Sequence, residues 1–550
     1  MKISALNFKL LFTLLNTFAI TSCGLFNGRN YDEIDVDHSV VNLNLVNNSS
    51  TSGNVIKPND VTLTFTNSSL SKTGLNGHKY LPSPSVGEKA ITIKVLVPLI
   101  HFSDSTIVSS YKRSIVEEKI RNAFEGVTPF LSVKEFYKNA SNNLINFEFE
   151  YTDWFDAGSS SNCTDEKITF NIIDRAVKEG KIDGSAINTR DFDSNNDGYI
   201  DAVYAIYDVS NFKNTNSENR NLWAYTLDYT PVVGNKNNPR ARNFSWASYD
   251  FLDEGYGEGF SDPHTLIHET GHLFGLYDYY DYNANFSPVC AVDMMDYNIC
   301  DLNAYSKMIS GWMKPYIVYG EATINLNEVK ENNSCIVVLG DKEKLIKDKN
   351  TNKYLFNPFN EYMLVENFNY NSKANFVDLV SGYSPVSLVG GDSYTKSGYK
   401  IYHIDSPQLL IQKVKNSYTY DFYYSHKYVE NKSSLLQNII TNTSFGEQKR
   451  AESNYFEQLG IEKIDENCDY FNEITLIAKS TRHEINYRTL YTYIDENNEK
   501  KIEKASNDFL FDVGDSFIPS SYKNYFVHGG DSSSITFDNN LKFSTQINFN

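Results

Sequence analysis

The sequence predicts an α+β fold in which a region of mixed helices and strands is followed by a β-rich C-terminal region. Between about residues 89 and 320, segments with helical spacing of apolar residues alternate with segments typical of strands. From about residue 321 onward, short runs rich in Tyr, Phe, Ile and Val predominate. The chain has 550 residues, 41% of them hydrophobic, which is enough for more than one core.

Residues 1–22 have the pattern of an export signal. An apolar run from Leu10 to Ile20 is shorter than the roughly 20 apolar residues that a membrane span needs. The run ends in Ile20-Thr21-Ser22-Cys23, which resembles the lipobox of bacterial lipoproteins and implies that Cys23 is lipidated after cleavage. We therefore expect a protein held by a lipid anchor on the extracellular face of a bacterial cell membrane. An ordinary signal peptide with an incidental cysteine is the alternative.

Residues 23–88 are rich in Asn, Ser, Thr and Asp and show no sustained apolar periodicity. This composition predicts a flexible tether between the anchor and the rest of the chain. A short propeptide is the alternative interpretation of the same segment.

Four helices are predicted in residues 89–320. Helical spacing of apolar residues indicates the first three, at Val116–Phe124, Val133–Asn139 and Ile172–Lys178. The fourth is predicted from its ends, because Asp262 is a favourable N-cap and Pro263 suits a first helical position. Gly275 is expected to end this helix in a left-handed conformation that turns the chain back.

The fourth predicted helix carries the pattern HExxHxxGxxD. Histidines four residues apart project from one face of a helix, so His268 and His272 can share a metal ion. Glu269 is placed where its carboxylate can reach a water on that metal. The spacing of Asp278 makes it the expected third ligand. An ordinary amphipathic helix with two histidines on its polar side is the alternative.

A methionine-containing run, Met294-Met295-Asp296-Tyr297, follows the histidines. It resembles the Met-turn of metzincin zinc peptidases, in which a methionine side chain lies beneath the metal. In several of those families a tyrosine two residues later stands by the metal, which implies that Tyr297 stabilises an oxyanion. Without the resemblance, Met295 is a flexible core filler. Asp281 is a second nearby carboxylate, less favoured than Asp278 because of its spacing.

Together the two motifs resemble the immune-inhibitor-A-like metallopeptidases, secreted bacterial zinc enzymes related to the metzincins. The resemblance covers roughly residues 90–410 and extends to weaker segments: Ile91–Val97, Phe102–Asp104, Ser132–Tyr137, Ile145–Glu150, Ala304–Lys307, Gly311–Trp312, Glu361–Asn367 and Tyr402–Asp405. It implies a metzincin-like catalytic domain over residues 89–320, with a zinc helix beneath a mixed sheet. The β-rich region then covers residues 321–550. The acidic Asp296 inside the turn departs from the family pattern.

The resemblance implies a zinc metalloendopeptidase that acts on protein or peptide substrates. Zn²⁺ would be held by His268, His272 and Asp278. Peptide bonds would be hydrolysed by a zinc-activated water with Glu269 as the general base. Two alternatives stay open: a catalytically inactive surface-binding lipoprotein that keeps the protease fold, and a zinc enzyme that acts on something other than a peptide bond.

A second acidic cluster, DxNxDGxxD, matches the first half of a calcium-binding loop. Its candidate Ca²⁺ ligands are Asp193, Asn195, Asp197 and Asp201. The twelfth loop position is Tyr204 instead of a bidentate glutamate, which excludes a full EF-hand. The resemblance favours structural calcium, since that family commonly carries it. An Asp/Asn-rich turn that needs no ion is the alternative.

Charge and cysteine content bear on the expected partners and on a candidate disulfide. The formal net charge of −19 argues against nucleic acid as a partner. Of the six cysteines, Cys290 and Cys300 bracket the Met-turn and are placed to form a small loop-closing disulfide. Strands are predicted in the C-terminal region at Ile324–Leu326, Ile336–Leu339, Tyr418–Tyr424, Ile474–Ile477 and within Ile535–Phe549.

Overall fold

The three predicted helices that precede the metal-binding motif are confirmed, and each is longer than predicted. The computed structural model of the chain describes residues 31–35, 40–45, 50–64, 81–126, 131–210, 222–229, 231–252, 261–276, 278–279, 289, 292–340, 344–358, 361–375, 394–405, 408–414, 417–423, 474–476, 492–494, 500–502, 507–517 and 546–550. Its helices are α1 Ser110–Glu125, α2 Val133–Ala140, α3 Glu166–Glu179, α4 His264–Leu273, α5 Met294–Tyr297, α6 Ala304–Ile309 and α7 Leu326–Glu331. The first three start after capping side chains, because Ser109, Ser132 and Asp165 each accept a hydrogen bond from a backbone N–H of the first turn.

A seven-stranded mixed sheet forms the centre of the first folded region. Its strands are β5 Ile91–Val97, β6 Leu99–Phe102, β7 Ile145–Tyr151, β8 Phe155–Gly158, β11 Val203–Tyr207, β12 Tyr225–Asp228 and β13 Asn243–Ser248. The order is β12-β13-β11-β5-β7, with β6 beside β11 and β8. All of these pairings are parallel except that of β12, which runs antiparallel to β13 at the edge of the sheet.

Helices cover both faces of this sheet. Along β11, Tyr204 and Ile206 join the core that contains the buried residues of α1, α2 and α4, whereas Val203, Ala205 and Tyr207 join the core that contains those of α3. This alternation follows from the two-residue period of a strand. Burial on both faces explains why β11 reads as a continuous apolar run. The α+β class predicted from the sequence is therefore confirmed.

The C-terminal region contributes most strands of a nine-stranded sheet, half of a four-stranded sheet, and two hairpins. Its strands are β14 Pro315–Asn325, β15 Cys335–Leu339, β16 Lys344–Asp348, β17 Lys353–Phe356, β18 Glu361–Phe368, β19 Gly398–Asp405, β20 Gln408–Val414, β21 Ser417–Tyr423, β22 Ile474–Leu476, β23 Thr492–Ile494, β24 Lys500–Ile502, β25 Ser516–Phe517 and β26 Gln546–Phe549. Each of the five C-terminal segments predicted as strand contains strand residues. The described part of Ile535–Phe549 is β26 itself. The predicted boundary at residues 320–321 falls inside β14, and one hydrophobic core continues across it.

Described residues 31–64 of the segment predicted as a flexible tether or short propeptide pair with strands of the C-terminal region. Residues 31–64 include four strands: β1 Tyr31–Asp35, β2 Val40–Asn44, β3 Ser52–Ile56 and β4 Val61–Leu63. Strand β2 lies between β14 and β26, parallel to both, and β3 is antiparallel to β14. Strands β1 and β4 are the two edge strands of the four-stranded sheet, and β16 and β17 are its inner strands. The side chains of Val41 and Leu43 in β2 are fully buried. Pairing partners far along the chain therefore stabilise short strands that show no periodicity of their own.

Two short strands pair only with each other in the described part of the chain. Strands β9 Lys181–Ile182 and β10 Ser185–Ala186 form a small hairpin. No helix within the described ranges combines the length and the apolar character that crossing a bilayer requires.

Candidate metal centre

Helix α4 begins one residue later than the sequence predicts. Pro263 occupies the N-cap position, and His264 is the first helical residue. Asp262 still caps the helix, because its Oδ1 accepts a hydrogen bond of 2.9 Å from the His264 N–H. The helix packs against β12 and β13, so its N-terminal and central turns lie against the edge of the mixed sheet.

The C-terminal end of α4 turns back at Gly275, as predicted. Gly275 has φ +80°, in the left-handed region that favours glycine. Its N–H donates to the His272 carbonyl at 2.8 Å, and the Leu276 N–H donates to the Gly271 carbonyl at 3.0 Å. These two bonds are those of a Schellman motif. The turn reverses the chain and delivers Asp278 to the face of the helix that carries the histidines.

Three predicted ligands converge. The distance from Asp278 Oδ1 is 2.8 Å to His268 Nε2 and 3.3 Å to His272 Nε2, and the two Nε2 atoms are 3.1 Å apart. Adjacent ligands in a tetrahedral site with bonds of about 2.05 Å are about 3.3 Å apart. Within the described part of the chain, this is the only group of three or more His, Cys, Asp or Glu side chains close enough to share an ion. The three atoms therefore fit one metal ion.

Backbone carbonyls set the tautomers of both histidines. His268 Nδ1 lies 2.8 Å from the Met294 carbonyl oxygen, and His272 Nδ1 lies 2.8 Å from the Leu276 carbonyl oxygen. Because a carbonyl oxygen only accepts, each Nδ1 carries a hydrogen, which leaves each Nε2 as the nitrogen available to a metal ion. Such outer contacts orient histidine ligands in metal sites.

The charges of the group favour an ion pair in the absence of metal. Burial alone would lower the pKa of His272, but the charge and hydrogen bond of Asp278 raise it to about 9. Burial likewise opposes ionisation of Asp278, but the two imidazoles hold the pKa of its carboxyl well below the usual range. A metal ion needs neutral imidazole ligands, so metal binding here displaces a proton.

The carboxylate of Glu269 lies beside the ligand group and contacts a residue that the sequence did not indicate. Glu269 is 5% exposed. The hydroxyl of Thr226, on the edge strand β12, donates a 2.7 Å hydrogen bond to its Oε2. Nothing in the sequence links two residues that are 43 positions apart, because their contact depends on how α4 packs on the sheet.

The run Met294–Tyr297, predicted to be a Met-turn, forms a single helical turn, α5, packed against α4. Asp293 caps it by accepting from the Met295 N–H at 2.8 Å, and Asn298 ends it with φ +56°. The Met295 side chain is fully buried and lies against Gly271 of α4. Tyr297 at the end of the turn is 37% exposed, which leaves it accessible to a ligand. Its role at an oxyanion stays a prediction.

The acidic loop that precedes β11 is held by its own backbone. Asp193 accepts from the N–H groups of Asp197 and Gly198 at 3.1 and 3.0 Å. Asn195 accepts from the Asp197 N–H at 2.9 Å. Burial, against the hydrogen bonds of Ser194 and with smaller contributions from Asp193 and Asp197, raises the pKa of the Asp201 carboxyl to about 6. These contacts are typical of an Asp/Asn-rich turn. Calcium binding stays a prediction, which a melting temperature measured after chelation and after calcium repletion would test.

Several predicted features lie outside the described residues. They are the signal peptide with Cys23, the second carboxylate Asp281, and Cys290 with its predicted disulfide to Cys300.

Comparison of the chain with models of known protein families gives no match, and neither does comparison with functionally curated proteins.

Proposed function

We propose that this protein is a zinc-dependent metalloendopeptidase. The observation that carries the proposal is the convergence of His268, His272 and Asp278, with both Nδ1 atoms tied to backbone carbonyls. Two imidazoles and one carboxylate are the donor set of an open catalytic zinc site, which leaves a position for water or substrate. The adjacent Glu269 adds the proton acceptor that hydrolysis requires.

The residues of the site have distinct roles in the proposed reaction. When bound, zinc supplies an activated water and polarises the scissile carbonyl. Glu269 accepts the proton of the attacking water and returns it to the leaving amine. His268, His272 and Asp278 hold the metal, and Tyr297 donates a hydrogen bond to the developing oxyanion. The buried position of Glu269 keeps bulk water from competing for its carboxylate.

The experiment that tests the proposal compares wild type with Glu269→Gln. Zinc content is measured together with hydrolysis of casein and of a proteome-wide peptide mixture, with and without a zinc chelator. Glu269→Gln is expected to keep zinc and to lose at least about 100-fold in rate, since general base catalysis contributes about 10²–10⁴-fold. Glu331→Gln, on the exposed side of α7, is the matched control and retains wild-type activity.

The outcomes separate the alternatives. Hydrolysis by Glu269→Gln at the wild-type rate contradicts the role of Glu269. Wild-type protein that holds zinc but cleaves nothing supports the inactive surface-binding lipoprotein instead. Cleavage of bonds other than peptide bonds, with no peptide hydrolysis, supports the alternative of a zinc enzyme with a non-peptide substrate.

The location of the protein is part of the proposal. Its support is the resemblance of Ile20-Thr21-Ser22-Cys23 to a lipobox. We expect lipidated Cys23 to hold the enzyme on the outer face of the membrane, where it meets protein substrates. Cell fractionation tests this, since Cys23→Ala should release the protein into the medium. An unchanged distribution would contradict the anchor.

A further inference from the structure

The general base proposed above is bound to the mixed sheet through a pair of hydroxyl groups. Thr226 Oγ1 lies 2.7 Å from Glu269 Oε2 and 2.7 Å from Ser245 Oγ. It also lies 3.1 Å from the main-chain oxygen of Glu269. Ser245 is 1% exposed, so no bulk water replaces these partners.

The pair extends into a longer chain of hydroxyls beneath α4. Tyr204 is the neighbour of Ser245 across the sheet, and the Tyr204 hydroxyl hydrogen-bonds to Thr270 Oγ1. We refer to the side chains of Thr226, Ser245, Tyr204 and Thr270 as the hydroxyl chain. Burial raises the pKa of Tyr204 well above its usual range, so its hydroxyl stays protonated. The chain therefore begins and ends on neighbouring residues of α4, Glu269 and Thr270.

Sheet register explains the alignment of these hydroxyls. Tyr204 of β11 is the registered partner of Ser245 in β13, and Ser245 is the registered partner of Thr226 in β12. Registered partners point to the same face of a sheet, so the three side chains form one row across adjacent strands. The row lies under α4, which packs on β12 and β13.

The direction of hydrogen bonding next to Glu269 follows from counting protons. An ionised carboxylate only accepts, so Thr226 has to donate its single hydroxyl hydrogen to Glu269. Thr226 then has only lone pairs left for Ser245, so Ser245 donates to Thr226. Successive donation of this kind polarises each hydroxyl and strengthens the last bond, the one to the carboxylate.

We infer that Thr226 is the positioning residue for Glu269, and that the hydroxyl chain holds the carboxylate in the orientation required for proton transfer. This inference rests on the proposed function. Thr226 touches neither the metal ligands nor, in this assignment, the substrate; it acts through the carboxylate that it binds. A general base has to be within about 0.5 Å of its working position, and a buried hydrogen bond from a registered strand provides that precision.

The test uses three variants of the full protein. Thr226→Val removes the hydroxyl with little change in shape, Thr226→Ser restores it, and Thr323→Val is a matched control on β14. Steady-state hydrolysis of casein-derived peptides is expected to show a fall in kcat of about tenfold to 100-fold for Thr226→Val, the range for a lost hydrogen bond to a charged group. We expect KM to change less than about threefold, because the bond acts on the base and not on substrate binding. Thr226→Ser recovers most of kcat, and Thr323→Val equals wild type.

A second measurement does not depend on turnover. Acetohydroxamic acid chelates a metal ion and hydrogen-bonds to a carboxylate beside it, so its affinity for the zinc-loaded protein reports on the position of Glu269. Calorimetry is expected to show about tenfold weaker binding to Thr226→Val, with zinc content unchanged and binding restored in Thr226→Ser.

The outcomes distinguish this inference from the proposed function. Wild type that binds the hydroxamate but cleaves no peptide contradicts the proposed function, and the hydroxamate series still decides the role of Thr226. Thr226→Val equal to wild type in both measurements overturns the inference. Loss of zinc or of folded structure in both Thr226 variants also overturns it, because the hydroxyl would then serve stability alone.

Discussion

Substitution of Gly271 by alanine tests whether α5 supports α4, the helix that carries the candidate metal ligands. A Cβ atom on Gly271 would lie less than 3.0 Å from Met295 Sδ and 3.0 Å from its Cε. Carbon atoms in good contact are about 3.5–4.0 Å apart, so the two elements must separate by more than about 0.5–1 Å, or Met295 must change rotamer. Met295 is fully buried, and its backbone is tied to Asp293 and Tyr279 by hydrogen bonds of 2.8 and 2.7 Å, which leaves little freedom.

The magnitude follows from two opposing effects. Overpacking of a core costs about 1–3 kcal/mol. Alanine in place of a mid-helix glycine returns about 1 kcal/mol. The difference between these two effects is a decrease of up to about 2 kcal/mol in the free energy of unfolding of Gly271→Ala. Zinc affinity should also fall by about tenfold, because displacement of α4 moves the histidines relative to Asp278.

Urea unfolding and competitive zinc titration measure both effects in a double-mutant cycle with Met295→Ala. Met295→Ala alone should cost about 2–5 kcal/mol, because it leaves a cavity. In the double variant the new methyl group enters that cavity, so the double variant should be more stable than the sum of the single effects predicts by about 1–2 kcal/mol. Additivity within about 0.5 kcal/mol, with unchanged zinc affinity, would refute the reasoning, because the two residues would then not be in contact.

Three further predictions concern single side chains. Asp278→Ala should weaken zinc binding more than about 100-fold, since loss of an outer contact alone weakens it about 10–100-fold; unchanged affinity in a metal titration would remove Asp278 from the site. Leu43→Ala in β2 should lower the free energy of unfolding by about 2–5 kcal/mol, whereas a residue in a flexible tether would change it by almost nothing. Asp208→Ala should cost about 1–3 kcal/mol in chemical denaturation, because the buried carboxylate accepts from the Phe102 N–H at 2.9 Å and contacts His101; a stability equal to that of wild type would contradict this.

Local features of the chain were predictable to within a few residues. Helices α1, α2 and α3 were recognised from apolar spacing. The starts of α1 and α3 were predicted too late, because the caps Ser109 and Asp165 begin these helices before their regularly spaced apolar residues. The N-terminus of α4 was displaced by one residue, because Asp262 caps from outside a helix that starts after Pro263.

Long-range features were not predictable in the same way. The segment that contains the strands of residues 31–64 was predicted to be a tether, because such short strands among Asn and Ser residues show no apolar periodicity. Their partners are β14, β16, β17 and β26, which lie hundreds of residues away. The predicted boundary at residue 320 lies within β14, which pairs with strands on both sides.

Local sequence spacing is sufficient to predict which three side chains converge to form the candidate metal-binding group. His268, His272 and Asp278 lie within eleven residues, and their convergence follows from the helical repeat and from the left-handed turn at Gly275. Only the tertiary structure decided what surrounds that group. The row of Tyr204, Ser245 and Thr226 that reaches Glu269 exists because three strands are in register beneath α4, and the pairing of distant strands is not encoded in any local spacing.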